Sequence, residues 1–301
     1  MLRSARRWFA LALVLLAGGW LVSSALVAWR LTRRERPCFE EGPPARDWGT
    51  VESVRLATSD GEELGAWFHP PESSRPLVVL LHGSGGARSG GCGPAGELVR
   101  DGYGVLAPTL RAYGDSSGGE NDFGWSQRLD VIAAVGFLER RVPGAPIVVG
   151  GMSLGAAAAI FAAPELDERV AGYVLVAPYR DLATACWLRC ELHLPPVLDR
   201  AAYLGLKLWS PLFLGIDHER VRPIDFVASF PEACSAVFLA GERDRVAPSA
   251  DVRELAERCS GRTRFEIVAG VGHKGLWKGG RERYLACLRE VLEEASRRAP
   301  P

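Results

Sequence analysis

Ser153 stands in the pentapeptide Gly151-Met152-Ser153-Leu154-Gly155, between the apolar run Ile147-Val148-Val149-Gly150 and an alanine-rich stretch from Leu154 to Ala163. A strand, a sharp turn and a helix in that order lift a serine Oγ clear of the backbone, at a helix N-terminus where negative charge is favoured. Small flanking residues let the chain pass closely there, and without such flanks the pentapeptide is an ordinary Gly-rich turn. A serine hydroxyl is a weak nucleophile until a base takes its proton, and the base needs a partner that orients it. Asp244 follows the apolar run Ala236-Val237-Phe238-Leu239-Ala240, and His273 follows Phe265-Glu266-Ile267-Val268 by one short glycine-containing loop. Both are candidates for the catalytic set with Ser153. Asp181 is the competing acid and Glu242 a weaker one. His69, His193 and His218 have no comparable setting and read as surface or packing residues.

Acyl transfer also needs donors for the oxyanion. His82-Gly83-Ser84-Gly85-Gly86 directly follows the run Leu77 to Leu81. The backbone N–H of Leu154, next after the nucleophile, and that of Ser84 are the expected oxyanion hole, with His82 bracing the loop. A phosphate-cradling role for this loop fails for want of a Gly-Lys-Ser/Thr ending or a G-x-G-x-x-G pattern. Seven cysteines, Cys38, Cys92, Cys186, Cys190, Cys234, Cys259 and Cys287, are scattered without zinc spacing, so no metal site and no disulfide framework is expected. Cys186 and Cys190 read as an i,i+4 pair on one helix.

These residues do chemistry together only if a scaffold gathers the carboxyl ends of several strands. Strand-length runs recur at Val51–Ala57, Leu64–His69, Leu77–His82, Tyr103–Ala107, Ile147–Gly151, Val170–Ala177, Val237–Gly241 and Phe265–Val268. The first two alternate like a half-buried antiparallel pair. The later ones are continuously apolar, as parallel strands covered on both faces are. Helices are expected over Trp125–Arg141, Leu154–Ala163 and Arg281–Arg297. The pattern predicts an α/β fold with a mostly parallel open sheet of about eight strands and helices on both faces. Dense Leu, Trp and Pro from Arg180 to about Pro231 predict a helical cap over the strand ends, where open α/β sheets hold their ligands.

Ahead of this domain, Trp8 to Trp29 contains no charged residue and as a helix would be about 33 Å long, enough to span a bilayer. Arg3, Arg6 and Arg7 precede it, and Arg30, Arg33, Arg34 and Arg36 follow it, so the positive-inside rule gives little preference of orientation. Residues 1–31 are read as an N-terminal membrane anchor, 32–48 as an exposed linker and 49–298 as the α/β domain. A cleaved signal peptide is the competing reading, with Ser23 and Ala25 offering small residues and Arg6-Arg7-Trp8-Phe9 a loose twin-arginine pattern. The 301 residues carry 36 basic and 36 acidic side chains, and nothing in this balance points to a nucleic-acid-binding surface. The balance is uneven, because seven of the arginines fall within the first 36 positions against one acid, Glu35.

Taken together, the loop at His82, the segment Leu110-Arg111-Ala112-Tyr113-Gly114-Asp115-Ser116, the elbow at Ser153, Gly241-Glu242-Arg243-Asp244 and Gly270-Val271-Gly272-His273 resemble the α/β-hydrolase superfamily. Within it the chain is most similar to the membrane-anchored serine hydrolases related to Bem46 and the ABHD12, ABHD13 and ABHD17 group. The resemblance covers about residues 50 to 298. It implies a Ser-His-Asp triad, no cofactor, and hydrolysis of an ester, thioester or amide through an acyl-enzyme. Ala112 departs from the family's usual glycine, and the segment from Arg180 to Pro231 is enlarged. Acyl lipids or lipid-modified proteins are the expected substrates, with a serine peptidase as the alternative. From another class, the alternative is a catalytically silent binding protein on the same scaffold. Ser153 in place of an elbow aspartate argues against a dehalogenase or epoxide hydrolase.

Overall fold

The computed structural model describes residues 2–35, 37–42, 48–73, 75–91 and 94–298; Cys92, Arg36 and residues 43–47 of the expected linker lie outside them. In chain order the elements are α1 (Leu2–Leu31), β1 (Glu52–Ala57), β2 (Glu63–His69), β3 (Leu77–Leu81), α2 (Arg88–Gly91), α3 (Ala95–Arg100), β4 (Gly104–Pro108), α4 (Gln127–Arg141) and β5 (Ile147–Met152). There follow α5 (Leu154–Leu166), β6 (Gly172–Val176), α6 (Leu182–His193), α7 (Leu198–Phe213), β7 (Ser235–Gly241), α8 (Ser249–Arg258), β8 (Arg262–Val268), α9 (Leu276–Gly279) and α10 (Arg281–Arg298). The strands form one sheet in the order β1-β2-β4-β3-β5-β6-β7-β8, with β2 antiparallel to both of its neighbours, β1 and β4, and the remaining pairs parallel. Helices cover both faces. From β3 the chain crosses to β4 on one side and returns to β5 on the other, which opens a crevice between the carboxyl ends of β3 and β5.

Each expected strand is present, with ends shifted by no more than three residues. β3, β4, β6 and β7 are buried throughout, which is why their sequences are continuously apolar. β2 departs from the half-buried alternation expected of it, since Leu64 to Phe68 are all buried. Its two faces are both covered. Phe68 packs edge-to-face on Phe137 of α4, while Trp67 on the other face meets Trp48 and the Arg88 guanidinium. β8 starts earlier than its apolar run suggests, because it is an edge strand whose outward residues are charged.

Of the described residues in the expected linker, Pro37 to Glu40 are exposed, whereas Thr32, Arg34, Glu41 and Trp48 engage the domain. Arg34 donates to the carbonyls of Gly114, Ser116 and Gly118, and its own N–H binds Gly119 O at 2.8 Å. Thr32 O accepts from Asn121 N at 2.9 Å. Glu41 is buried, with Oε1 2.9 Å from the Arg88 guanidinium and Oε2 accepting from Ser89 N at 2.8 Å, and Arg88 also pairs with Asp115 at 2.7 Å. Polar composition indicated solvent, but each of these groups has a partner on the body of the domain.

α1 is the one helix among the described residues long and apolar enough to cross a membrane. Its C-terminal half packs along α7 of the cap.

Candidate functional site

The crevice between β3 and β5 is where the candidate residues meet. Ser153 follows β5 with φ 50° and ψ −107°, a conformation that L-residues adopt only under constraint. The constraint is visible on both sides. Ser153 N donates to Val176 O at 2.8 Å, and its carbonyl accepts from Ala157 N at 2.9 Å, which starts α5. A methyl group on Gly155 would come within 2.7 Å of His82 O and Leu81 Cβ, and one on Gly151 within 2.7 Å of the Gly155 carbonyl carbon. Both glycines are therefore required for α5 to dock against the end of β3.

β7 and β8 are neighbours, and the loops that follow them are tied together, Glu242 N to Val268 O at 3.0 Å and Arg243 N to Val271 O at 2.9 Å. This tie sets Asp244 beneath His273. Asp244 Oδ2 lies 2.7 Å from His273 Nδ1, and His273 Nε2 lies 3.1 Å from Ser153 Oγ. The other carboxylate oxygen accepts from the N–H groups of Val246 and Ala247 at 2.8 and 2.9 Å, so the acid is fully engaged and its side chain is fully buried. The arrangement fixes the tautomer: Nδ1–H donates to Asp244, leaving Nε2 able to accept the serine proton. Of the rival acids, Asp181 instead caps α6, accepting from Thr184 N at 2.7 Å and Arg180 Nε at 2.9 Å. Glu242 accepts from Gly270 N at 2.6 Å.

His82 is buried at the end of β3. Its Nε2 accepts from Leu110 N at 3.0 Å, and its Nδ1 donates to Gly83 O at 2.8 Å, so the ring bridges two loops. Burial pushes its pKa down to about 4, which keeps it neutral and holds both bonds. Tyr113 stacks edge-on against that ring, takes a hydrogen bond from Asn121 Nδ2 at 3.0 Å and lies 3.3 Å from Ser84 Oγ. Burial raises the Tyr113 phenol to about 12, so it stays protonated. Tyr113 and Asn121 thus hold the Ser84 loop, roles that no local sequence signal marks. Ala112, where glycine was the usual residue, sits at φ 63°.

Ser84, Ser153 and Leu154 share the wall of a cavity of about 720 Å³. The rest of that wall is mainly apolar and comes from α6, α7 and, unanticipated from sequence, α1, through Trp20, Ser23, Ser24, Val27 and Leu31. His193 also lines it, whereas His69 faces Thr50 O at 2.8 Å and His218 faces Ser210 Oγ at 2.9 Å. Cys186 and Cys190 are unpaired on α6 and line the cavity, and burial pushes the Cys186 thiol up to about 11. Phe123, also at positive φ (62°), is fixed in the wall by Tyr179 Oη donating to its carbonyl at 2.6 Å. Among the described residues no three His, Cys, Asp or Glu side chains converge where they could hold a metal ion.

The family described as alpha/beta hydrolase fold matches residues 76–223. Uncharacterized protein Rv2307c of Mycobacterium tuberculosis is 31% identical over 73% of this chain and 71% of its own length. The lysophosphatidylserine lipase ABHD12 of Xenopus tropicalis is 28% identical over 40% of this chain and 32% of its own. Among solved structures, the Pyrococcus furiosus esterase Pf2001 superposes with a TM-score of 0.70 at 23% identity, covering 86% of this chain and 96% of that one. Esterases and a lipase thus recur among the proteins to which this chain is similar. The chain belongs to the α/β-hydrolase family.

Proposed function

We propose that this chain is a membrane-anchored serine hydrolase that cleaves a carboxylic ester or thioester of an acyl lipid or lipidated protein. The observation that carries the reading is the line from Asp244 through His273 to Ser153, at bonding distances of 2.7 and 3.1 Å, ending on a large apolar cavity. Ser153 Oγ attacks the acyl carbonyl as its proton passes to His273 Nε2, and Asp244 steadies the imidazolium through Nδ1. The N–H groups of Leu154 and Ser84 receive the oxyanion, aided by the N-terminus of α5. His273 then gives its proton to the departing alcohol or thiol, and a water activated by the same ring releases the acid and restores the serine. The apolar cavity wall favours an acyl chain over a peptide as the occupant. A fluorophosphonate probe is expected to label the wild-type protein covalently and to leave Ser153→Ala unlabelled. Absence of labelling in folded wild-type protein would refute a catalytic role and favour a silent binding protein.

A further inference from the structure

We infer that α1 is not a tether alone: it is retained in the mature protein and forms one wall of the acyl-chain site, at hydrocarbon depth in the bilayer. This deepens, and rests on, the reading of Ser153 as the nucleophile.

Depth follows from helix length. Arg3, Arg6 and Arg7 bound the apolar stretch of α1 on one side and Arg30, Arg33 and Arg34 on the other. A bilayer core about 30 Å thick needs roughly 20 apolar residues. Ahead of Trp20, the first residue of α1 in the cavity wall, the charge-free stretch is Trp8 to Gly19, only about 18 Å of helix. It cannot cross alone. The segment from Trp20 to about Trp29 must complete the span, and this is the segment that packs on the cap.

The packing is that of a built helix pair. Trp20 Nε1 donates to Ala201 O at 3.0 Å, and Trp209 Nε1 donates to Ser24 Oγ at 3.1 Å, so both indole N–H groups are satisfied across the seam, as hydrocarbon requires. Between them Gly205 faces Ser24 so closely that a methyl group there would lie 2.4 Å from Ser24 Cβ. Small residues at such a crossing are the signature of helices packed within membranes. Gly205 inside a helix is unfavourable by itself, and the contact with Ser24 explains its presence. Past the seam, Arg34 fixes the exit of α1 to the loop carbonyls of Gly114, Ser116 and Gly118.

Three stripes on α7 then face the cavity, α1 and the outside. Leu198, Ala202 and Leu206 line the cavity, Gly205 and Trp209 meet α1, and Ala201, which does both, joins the two stripes. Leu204, Leu208 and Leu212 flank that seam and are 57%, 52% and 67% exposed. At the depth set by α1 those leucines meet lipid tails, and a bilayer acyl chain reaches the cavity without crossing water.

The test uses the full chain in lipid nanodiscs, with p-nitrophenyl acetate and p-nitrophenyl decanoate as probes. Val27→Trp, which fills the cavity from α1, is expected to lower the decanoate-to-acetate ratio of kcat/KM about tenfold, the worth of roughly two buried methylenes. Val14→Trp, on the part of α1 outside the cap contact, leaves the ratio unchanged. Fluorophosphonate labelling of Val27→Trp checks that the site is intact, and intact mass of the membrane-extracted protein is expected to include α1. An unchanged ratio in Val27→Trp, or a mature chain beginning after Ala25, would overturn the inference while leaving the nucleophile in place. Hydrolysis that persists in Ser153→Ala would instead remove the reading beneath it, and the inference with it.

Discussion

Acid should unfold this protein partly through one ring that performs no proton transfer. His82 is 1% exposed, and its two nitrogens are committed to Leu110 N–H and Gly83 O. Protonation would set a second N–H against the Leu110 N–H in a dry site, and burial accordingly lowers the pKa from 6.5 to about 4. The unfolded ring takes its proton below about 6.5, whereas the folded ring resists until about 4. Between those values the unfolded state binds more protons, so stability falls as the pH falls through this window and loses no more below it. A shift from 6.5 to about 4 corresponds to about 3 kcal/mol at 1.36 kcal/mol per unit. For a domain of this size that is roughly 6–12 °C in melting temperature. Gln in place of His82 can offer an amide donor and a carbonyl acceptor without titrating. Thermal scans at one fixed rate in detergent, from pH 7 to pH 4, are expected to show the wild type losing this increment and His82→Gln losing much less. Parallel pH profiles for the two proteins would refute the assignment of the acid sensitivity to His82.

Asp244→Asn is expected to lower kcat for a soluble ester by about 10⁴, because the amide would favour the wrong tautomer of His273; a loss below tenfold would point to another orienting group. Glu41→Ala is expected to destabilise the fold by about 3 kcal/mol in thermal or chemical denaturation, since it removes a buried carboxylate paired with the buried Arg88 and opens a void beside Thr109. A change under 1 kcal/mol would show that residues 37–42 do not pack on the domain in solution. Ala112→Gly is expected to raise stability by about 0.5–1 kcal/mol, as relief at φ 63° exceeds the extra freedom of glycine in the unfolded chain. A lower melting temperature would mean that the Ala112 methyl packs better than its backbone suffers.

The positions of the candidate residues were legible in the sequence because each is specified within a few residues of itself. Ser153 needs a strand before it, a helix after it and small residues on either side, and all of these are adjacent in the chain. Asp244 and His273 each follow a strand-length apolar run, and a parallel sheet delivers every such loop to one edge. That Asp244 rather than Asp181 meets the histidine was harder to read, since both follow strands. The difference lies in what comes next: Thr184 stands three residues into a helix that Asp181 caps, whereas the chain after Asp244 offers Val246 and Ala247 N–H groups to its outer oxygen.

What the sequence concealed depends on partners far apart in the chain. Glu41, Arg34 and Thr32 have the composition of a solvated linker, and a buried carboxylate is tolerable only when its cation is known to wait, as Arg88 does 47 residues later. Trp20 and Ala201 are 181 residues apart. An apolar stretch bounded by arginines reads the same whether its sides meet lipid or protein, so α1 could be read as a candidate span but not as a wall of the cavity. Gly205 was the available trace: a glycine in the middle of a helix, against its propensity, implies a close neighbour. Only the fold identifies that neighbour as Ser24, and with it places the seam between α1 and α7 beside the cavity above Ser153.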